Sequence, residues 1–194
     1  MKTEPLFFDT DCLSAFLWIE NECLLIKLYP GRIVIPSPVY QELCHPGVEH
    51  LLKRVDCLLA RNEAIKRDIE LGSNASIMYD NLSHFPLPEA KLIGRGEAAC
   101  IALAYDTKGV VASNNLSDVK PYIDKYKLQH ITTADILAEA IHVGIINLRQ
   151  AEVLWSEMIR HRKKLPCDDY SSYYEAWCRN HPDFPNSLVA NILP

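Results

Sequence analysis

The chain has 194 residues and is 48% hydrophobic, enough to bury one sizeable core, so it reads as one domain with a peripheral extension rather than as two domains. Its 20 basic and 25 acidic residues give a net charge of -5, which argues against a protein that coats nucleic acid through a broad positive surface. A cation-dependent enzyme acting on nucleic acid stays open, because bound cations offset an acidic centre.

In chain order, short β-rich runs alternate with helical patterns. PLFF at 5–8 reads as a strand, and 12–28 as helix broken near Asn21. RIVIP at 32–36 is a second strand. The helix behind it, Pro38 to Cys44, has Ser37 to cap it and Pro38 where no backbone donor is needed. Pro46-Gly47 stops that helix, and 48–63 forms another. Residues 66–92 show no clear period and receive no assignment. From 94 the pattern recovers: GRGEAACIALAYDT is an Ala-rich amphipathic helix, GVVAS at 109–113 a buried strand, 118–127 a helix, LQHIT at 128–132 a short strand, and 133–143 a helix. Strands alternating with helices imply βαβ units, hence an α/β fold with a mainly parallel sheet covered on both faces.

This unit is expected to span 1–145, with 146–194 as a C-terminal helical extension packed on it or projecting from it. The extension starts with an amphipathic helix over 147–163, which ends in the basic run Arg160-His161-Arg162-Lys163-Lys164. That run suits a solvated helix end better than an RNA contact. From Pro166 the tail is aromatic, acidic and Pro-punctuated, and is expected to wrap the surface or meet a partner. Seven cysteines (12, 23, 44, 57, 100, 167, 178) are an odd number at irregular spacing, which fits reduced thiols rather than a disulfide framework. The N-terminus has no signal-like apolar stretch, and no run reaches the roughly 18 apolar residues of a membrane span. A cytoplasmic protein is expected.

Ligands of open parallel sheets collect at the carboxyl ends of the strands. Asp9 falls at that end of the first strand, and the Ser113-Asn114-Asn115 turn at that end of another, with Asp118 just beyond. Glu97 shares a helical face with Cys100, Ile101 and Ala104, and Glu42 lies at the buried margin of its helix between Val39 and Leu43. Each acid has a plainer use. Asp11 is the simplest N-cap for a helix starting at Cys12, and Asp118 can cap the helix that follows it, with Pro121 in the first turn. Glu97 can favour its helix N-terminus electrostatically, and Glu42 can pair with an arginine. Asp9 has no capping duty that Asp11 cannot perform. Converging carboxylates repel unless a cation joins them, and hard oxygen donors without histidine select Mg²⁺ or Mn²⁺, the arrangement of a phosphodiester-cleaving site.

FFDTDCLSAFL, IPSPVYQEL, LIGRGEAACIALA, VVASNNLSDV and HITTADILAEA, in that order over about residues 6–143, carry a resemblance to a known family. The chain resembles the PIN-domain ribonucleases, in particular the toxin-like branch of bacterial toxin-antitoxin pairs and related stand-alone proteins. The resemblance implies a PIN-like three-layer α/β/α fold and Mg²⁺- or Mn²⁺-dependent endonucleolytic cleavage of RNA. It makes Asp9, Glu97 and Asp118 metal ligands and Glu42 the acid that orients water or binds a second ion. Thr10, Ser113 and Asn114 become residues that bond those carboxylates or the substrate. It also implies an RNA substrate and admits an antitoxin partner and a homodimer. The departure falls at Asn114 or Asn115, where the family usually has Asp; if Asn115 is the aligned residue, its carbonyl oxygen can still ligate but brings no charge. A PIN-like binding or scaffolding protein without catalysis is therefore the alternative. Two zinc-type sets, Cys44/His45/His50/Cys57 and His161/Cys167/Cys178/His181, lack the paired close spacing of a zinc finger. GRGEAA lacks the third glycine and the preceding strand of a dinucleotide site.

Overall fold

The structure, a computed structural model, describes residues 4–85, 91–161 and 165–182. In chain order its elements are β1 (Leu6–Phe8), α1 (Thr10–Trp18), α2 (Cys23–Leu28), β2 (Ile33–Pro36), α3 (Ser37–Leu43), α4 (Glu49–Ala60), β3 (Ile65–Arg67) and α5 (Asn74–Ser83). They continue as α6 (Arg95–Thr107), β4 (Val110–Ala112), α7 (Leu116–Tyr126), β5 (Gln129–Ile131), α8 (Thr133–His142), α9 (Leu148–Arg160) and α10 (Tyr170–Asn180).

The strands form one sheet in the order β3-β2-β1-β4-β5, every pair parallel. β1, β2 and β4 are buried at every position, as strands covered on both faces must be, whereas β3 is exposed throughout and β5 in part. Chain order reverses between β1 and β4, where Phe7 pairs with Val111, which makes their carboxyl ends the topological switch point.

α6 is buried from Gly96 to Ala104 apart from part of Glu97, as a helix apolar nearly all round should be. It lies on β1, β2 and β4 and is flanked by α5, α7 and α3. Its alanines 98, 99, 102 and 104 are fully buried and let its backbone lie close to the sheet. α1, α4, α8 and α9 form a second group of packed helices, and the core between the layers centres on Phe7, Phe8, Phe16, Leu13, Ile35 and Ile101. The architecture is thus α/β, with an all-parallel five-stranded sheet flanked by helices. Among the described residues no helix is long and apolar enough to cross a membrane.

Several local expectations change. α1 starts at Thr10 and is capped by Asp9, whose carboxylate accepts from the Cys12 N–H, while Asp11 is an exposed first-turn residue. The break near Asn21 is real and separates α1 from α2. Ser37 is inside α3 with Pro36 at the cap position, and the Ser37 hydroxyl donates to Asp68 instead of capping. The unassigned 66–92 contains β3's end and α5, which Ser73 caps by accepting from the Ser76 N–H. α7 begins two residues earlier than 118, so Asp118 sits in its first turn rather than at its cap, and Pro121 lies inside the helix. The tail after Pro166 supplies α10, which packs on α8 and α9. There Tyr174 stacks on Trp177 with centroids 6.4 Å apart, and Trp177 on His181 at 4.4 Å. Of the basic run, Arg162, Lys163 and Lys164 lie outside the described residues.

Gly109 leads into β4, and a Cβ there would lie 2.6 Å from Phe7 Cε2 and 2.8 Å from the Pro5 carbonyl oxygen. Backbone and a buried ring cannot give way as a flexible side chain would. Gly109→Ala is therefore expected to destabilise the protein by about 1–3 kcal/mol, read as a lower urea midpoint with an unchanged m-value.

Candidate active site

Asp9 follows β1 directly, and its N–H donates to the Ala112 carbonyl at 3.0 Å, which sets it beside the end of β4. It is 1% exposed. Oδ1 accepts from the Cys12 N–H at 2.7 Å; Oδ2 is buried and has no hydrogen-bond partner among the described residues. Burial dominates its acidity and pushes the carboxyl from 3.8 up to about 8. The Ser113 hydroxyl and the Cys12 N–H pull it back in part, while the charges of Glu97 and Asp11 push it further up. The cap that the sequence suggested for Asp11 thus falls to Asp9, which also stands at the strand end.

Glu42 reaches the same region from α3. Its Oε1 accepts from the Gly96 N–H at 3.0 Å, and its Oε2 from the Thr10 hydroxyl. These two donors, not an arginine ion pair, hold it. The GRGE turn now has a steric explanation. A Cβ on Gly96 would lie 3.1 Å and 3.2 Å from the two Glu42 carboxylate oxygens and 3.3 Å from Thr10 Oγ1. A Cβ on Gly94 would collide with the Glu97 carboxylate. Each glycine therefore leaves the room that one acid occupies.

Glu97 and Asp118 meet at Asn115. The Asn115 amide nitrogen donates to Glu97 Oε1 and to Asp118 Oδ2, both at 3.0 Å, while its oxygen accepts from the Ser117 hydroxyl at 2.9 Å. Two acceptors on one side and a donor on the other fix which end of the amide faces the acids. The nitrogen faces them, where the sequence suggested the carbonyl. Asp118 Oδ1 also takes the Lys91 ammonium at 2.7 Å.

The remaining residues divide. Asn114 is 5% exposed and its amide is engaged with Thr133: Nδ2 donates to Thr133 Oγ1 at 2.8 Å, and Oδ1 accepts from the Thr133 N–H at 2.9 Å. It ties the end of β4 to α8, so Asn115 and not Asn114 is the amide that meets the acids. Ser113 is fully buried; its hydroxyl accepts from the Asn115 N–H at 3.2 Å and lies against Asp9. Thr10 is half-buried and serves Glu42. The thiols of Cys12 and Cys100 are pushed well up by burial first and by Asp9 second, which makes them inert neighbours.

Sequence reading missed Lys91, which lay in the unassigned segment, and Arg95, which sits exposed at the rim with Nε on the Tyr79 hydroxyl at 3.1 Å and Nη2 on Gln41 Oε1 at 3.2 Å. Arg95 stands inside the GRGE motif, so it was visible but unread. Among the described residues no group of three or more His, Cys, Asp or Glu side chains is gathered tightly enough to hold a metal ion, the two zinc-type sets included. His50 and His161 instead flank Trp18, with centroids at 4.5 Å and 5.3 Å.

The chain matches no protein-family model, no curated protein and no solved structure.

The Asp9 carboxyl gives a pH prediction. The folded protein keeps its proton up to about 8, whereas the unfolded chain releases it near 3.8, so between these values the native state binds more protons and stability falls as pH rises. In EDTA, Asp9→Asn should flatten this slope and melt above the parent protein at pH 8. Equal pH slopes for the two proteins would show that Asp9 titrates normally.

Proposed function

We propose that the chain is a divalent-cation-dependent endoribonuclease of the PIN type, acting at the carboxyl ends of β1 and β4. The observation that carries this reading is the Asp9 Oδ2 atom, a buried carboxylate oxygen without a partner among the described residues, near enough to Glu97 to feel its charge, while Glu97 and Asp118 share a single amide. Such an oxygen suits an ionised state only if a cation lies against it. The donors here are hard oxygens with no histidine, which fits Mg²⁺ or Mn²⁺. Asp9, Glu97 and Asp118 would hold the ion, with Asn115 between the last two.

A divalent cation supplies water activation and charge neutralisation to phosphodiester hydrolysis. The chain's own groups do the rest. Glu42, held at both oxygens by Thr10 and Gly96, is fixed in one orientation and can accept a proton from an attacking water. Arg95 and Lys91 are exposed cations at the rim, able to meet the phosphates of an RNA strand despite the net charge of -5. Ser113 and Asp9 lie at the bottom of the site, buried from bulk water. This reading admits an antitoxin protein as a restraint on the enzyme and a homodimer as an assembly.

A second reading is favoured by Asn115 itself. Its amide nitrogen lies between Glu97 and Asp118 and joins them as a cation would, so the same residues suit a PIN-like binding protein that needs no ion.

Two measurements separate these readings. An enzyme should cleave unstructured RNA with added Mn²⁺, stop in EDTA, and lose about 10²–10⁴-fold in kcat in Glu42→Gln with its fold retained. RNA left intact at every Mn²⁺ concentration would leave the binding protein. In calorimetry, Asn115→Asp should bind Mn²⁺ more tightly than the parent, because it restores a charge where the amide now stands. Equal Mn²⁺ affinity in the two proteins would remove Asn115 from the ion site.

A further inference from the structure

α5, α6 and α7 enclose a cleft of about 390 Å³ that none of the acids lines. Its wall carries aromatic, amide and cationic groups beside three apolar side chains of α5: Tyr105 from α6, Tyr122, Lys125 and Tyr126 from α7, and Asn74 and Asn81 from α5. Tyr122 is buried at its base, while Tyr105 is 49% exposed. Tyr105 and Tyr126 meet edge to face with centroids 5.3 Å apart, and Lys125 Nζ stands 5.2 Å from the Tyr126 centroid.

Helix α7 and the segment at Lys91 link the cleft to the acid site. Asp118 and Tyr122 lie one turn apart on the same face of α7, about 6 Å along the axis, and Tyr126 a further turn on, at about 12 Å. The segment at Lys91 joins the two places from outside the helix. Its carbonyl accepts from the Tyr122 hydroxyl, and its ammonium is on Asp118. Lys91, Arg95 and Lys125 are thus exposed cations distributed from the acid site to the cleft, on a chain that is acidic as a whole.

We propose that this cleft is a nucleobase subsite for single-stranded RNA, taking a base near the cleaved phosphate on the face of Tyr105, with Tyr126 set at an angle beside it. The Asn74 and Asn81 amides can donate and accept along a base edge, and Lys125 meets the adjoining phosphate. The two amides and the lysine give a base and its phosphate polar partners that a purely apolar occupant would leave unused. A duplex keeps its bases stacked and cannot present one to the cleft. The choice of RNA as the strand rests on the nuclease reading above.

The test is anisotropy of a labelled, unstructured RNA oligonucleotide in EDTA, so that binding is read without cleavage, using the parent protein, Tyr105→Leu, Tyr126→Leu and Lys125→Glu. Leucine keeps apolar bulk and removes the ring, so each tyrosine variant should bind about tenfold more weakly, and an oligonucleotide with abasic sites should bind the parent and the two tyrosine variants alike. In Mn²⁺ the same tyrosine variants should raise KM about tenfold and leave kcat unchanged. Lys125→Glu should weaken intact and abasic RNA equally. Unchanged RNA affinity in both tyrosine variants overturns the subsite, as does an equal loss on abasic RNA. Tight binding of free AMP that the tyrosine variants abolish, with RNA binding untouched, also overturns it and gives the cleft to a free nucleotide. Ring-dependent RNA binding without any Mn²⁺-dependent cleavage would keep the subsite and remove the nuclease reading, so the two failures are distinct.

Discussion

The parallel pairing of β1 with β4 is the contact on which the rest depends. It joins Phe7 to Val111 and Phe8 to Ala112, segments far apart in the chain, and its carboxyl end is where the direction of winding reverses. A crevice forms at such a reversal because the connections leave on opposite sides of the sheet. Asp9 and Ser113 are simply the first residues past the two strand ends. The layers follow from the same pairing: α6 runs beneath both strands and brings Glu97 to the crevice, while α3 brings Glu42 from the neighbouring strand's connection.

Bringing several acids toward one strand end is costly, and the protein meets the cost with donors rather than with ion pairs alone. Asp9 receives a backbone N–H, Glu42 a hydroxyl and a backbone N–H, and Glu97 and Asp118 a shared amide. Only Asp118 adds an ammonium, from exposed Lys91. Among the described residues one buried oxygen of these acids is left without a partner, Asp9 Oδ2. The arrangement is therefore incomplete at the buried end of the site.

Much of this was legible in the sequence, and what was not has physical causes. The alternation of strands and helices gave the α/β class because a strand buried on both faces is an uninterrupted apolar run, as PLFF and GVVAS are. β3 and α5 escaped for the opposite reason. β3 is an exposed edge strand, and α5 buries only Ala75, Ser76 and Leu82, too few positions to show a period. α10 was hidden because its rings stack on one another along the helix and so mimic an irregular aromatic tail. The positions of Asp9, Glu42, Glu97 and Asp118 could be read, but their partners could not. Whether Asp9 or Asp11 caps α1 turns on a single residue of helix start, and whether Asn115 offers nitrogen or oxygen turns on Ser117, which only the folded turn brings beside it.

In the GRGE turn Gly96, inside the helix, gives up helix propensity to leave space for Glu42, and Gly94 at the cap position leaves space for Glu97. α6 consequently starts without any side-chain cap. This makes the turn a trap for protein engineering. A programme that ranks variants by thermal stability would see two glycines at a helix start as weak points, replace them early with residues that favour helix, and report improvement at each round. The products would be sturdier proteins whose acids had been pushed out of register, and the melting curve would give no sign of the loss.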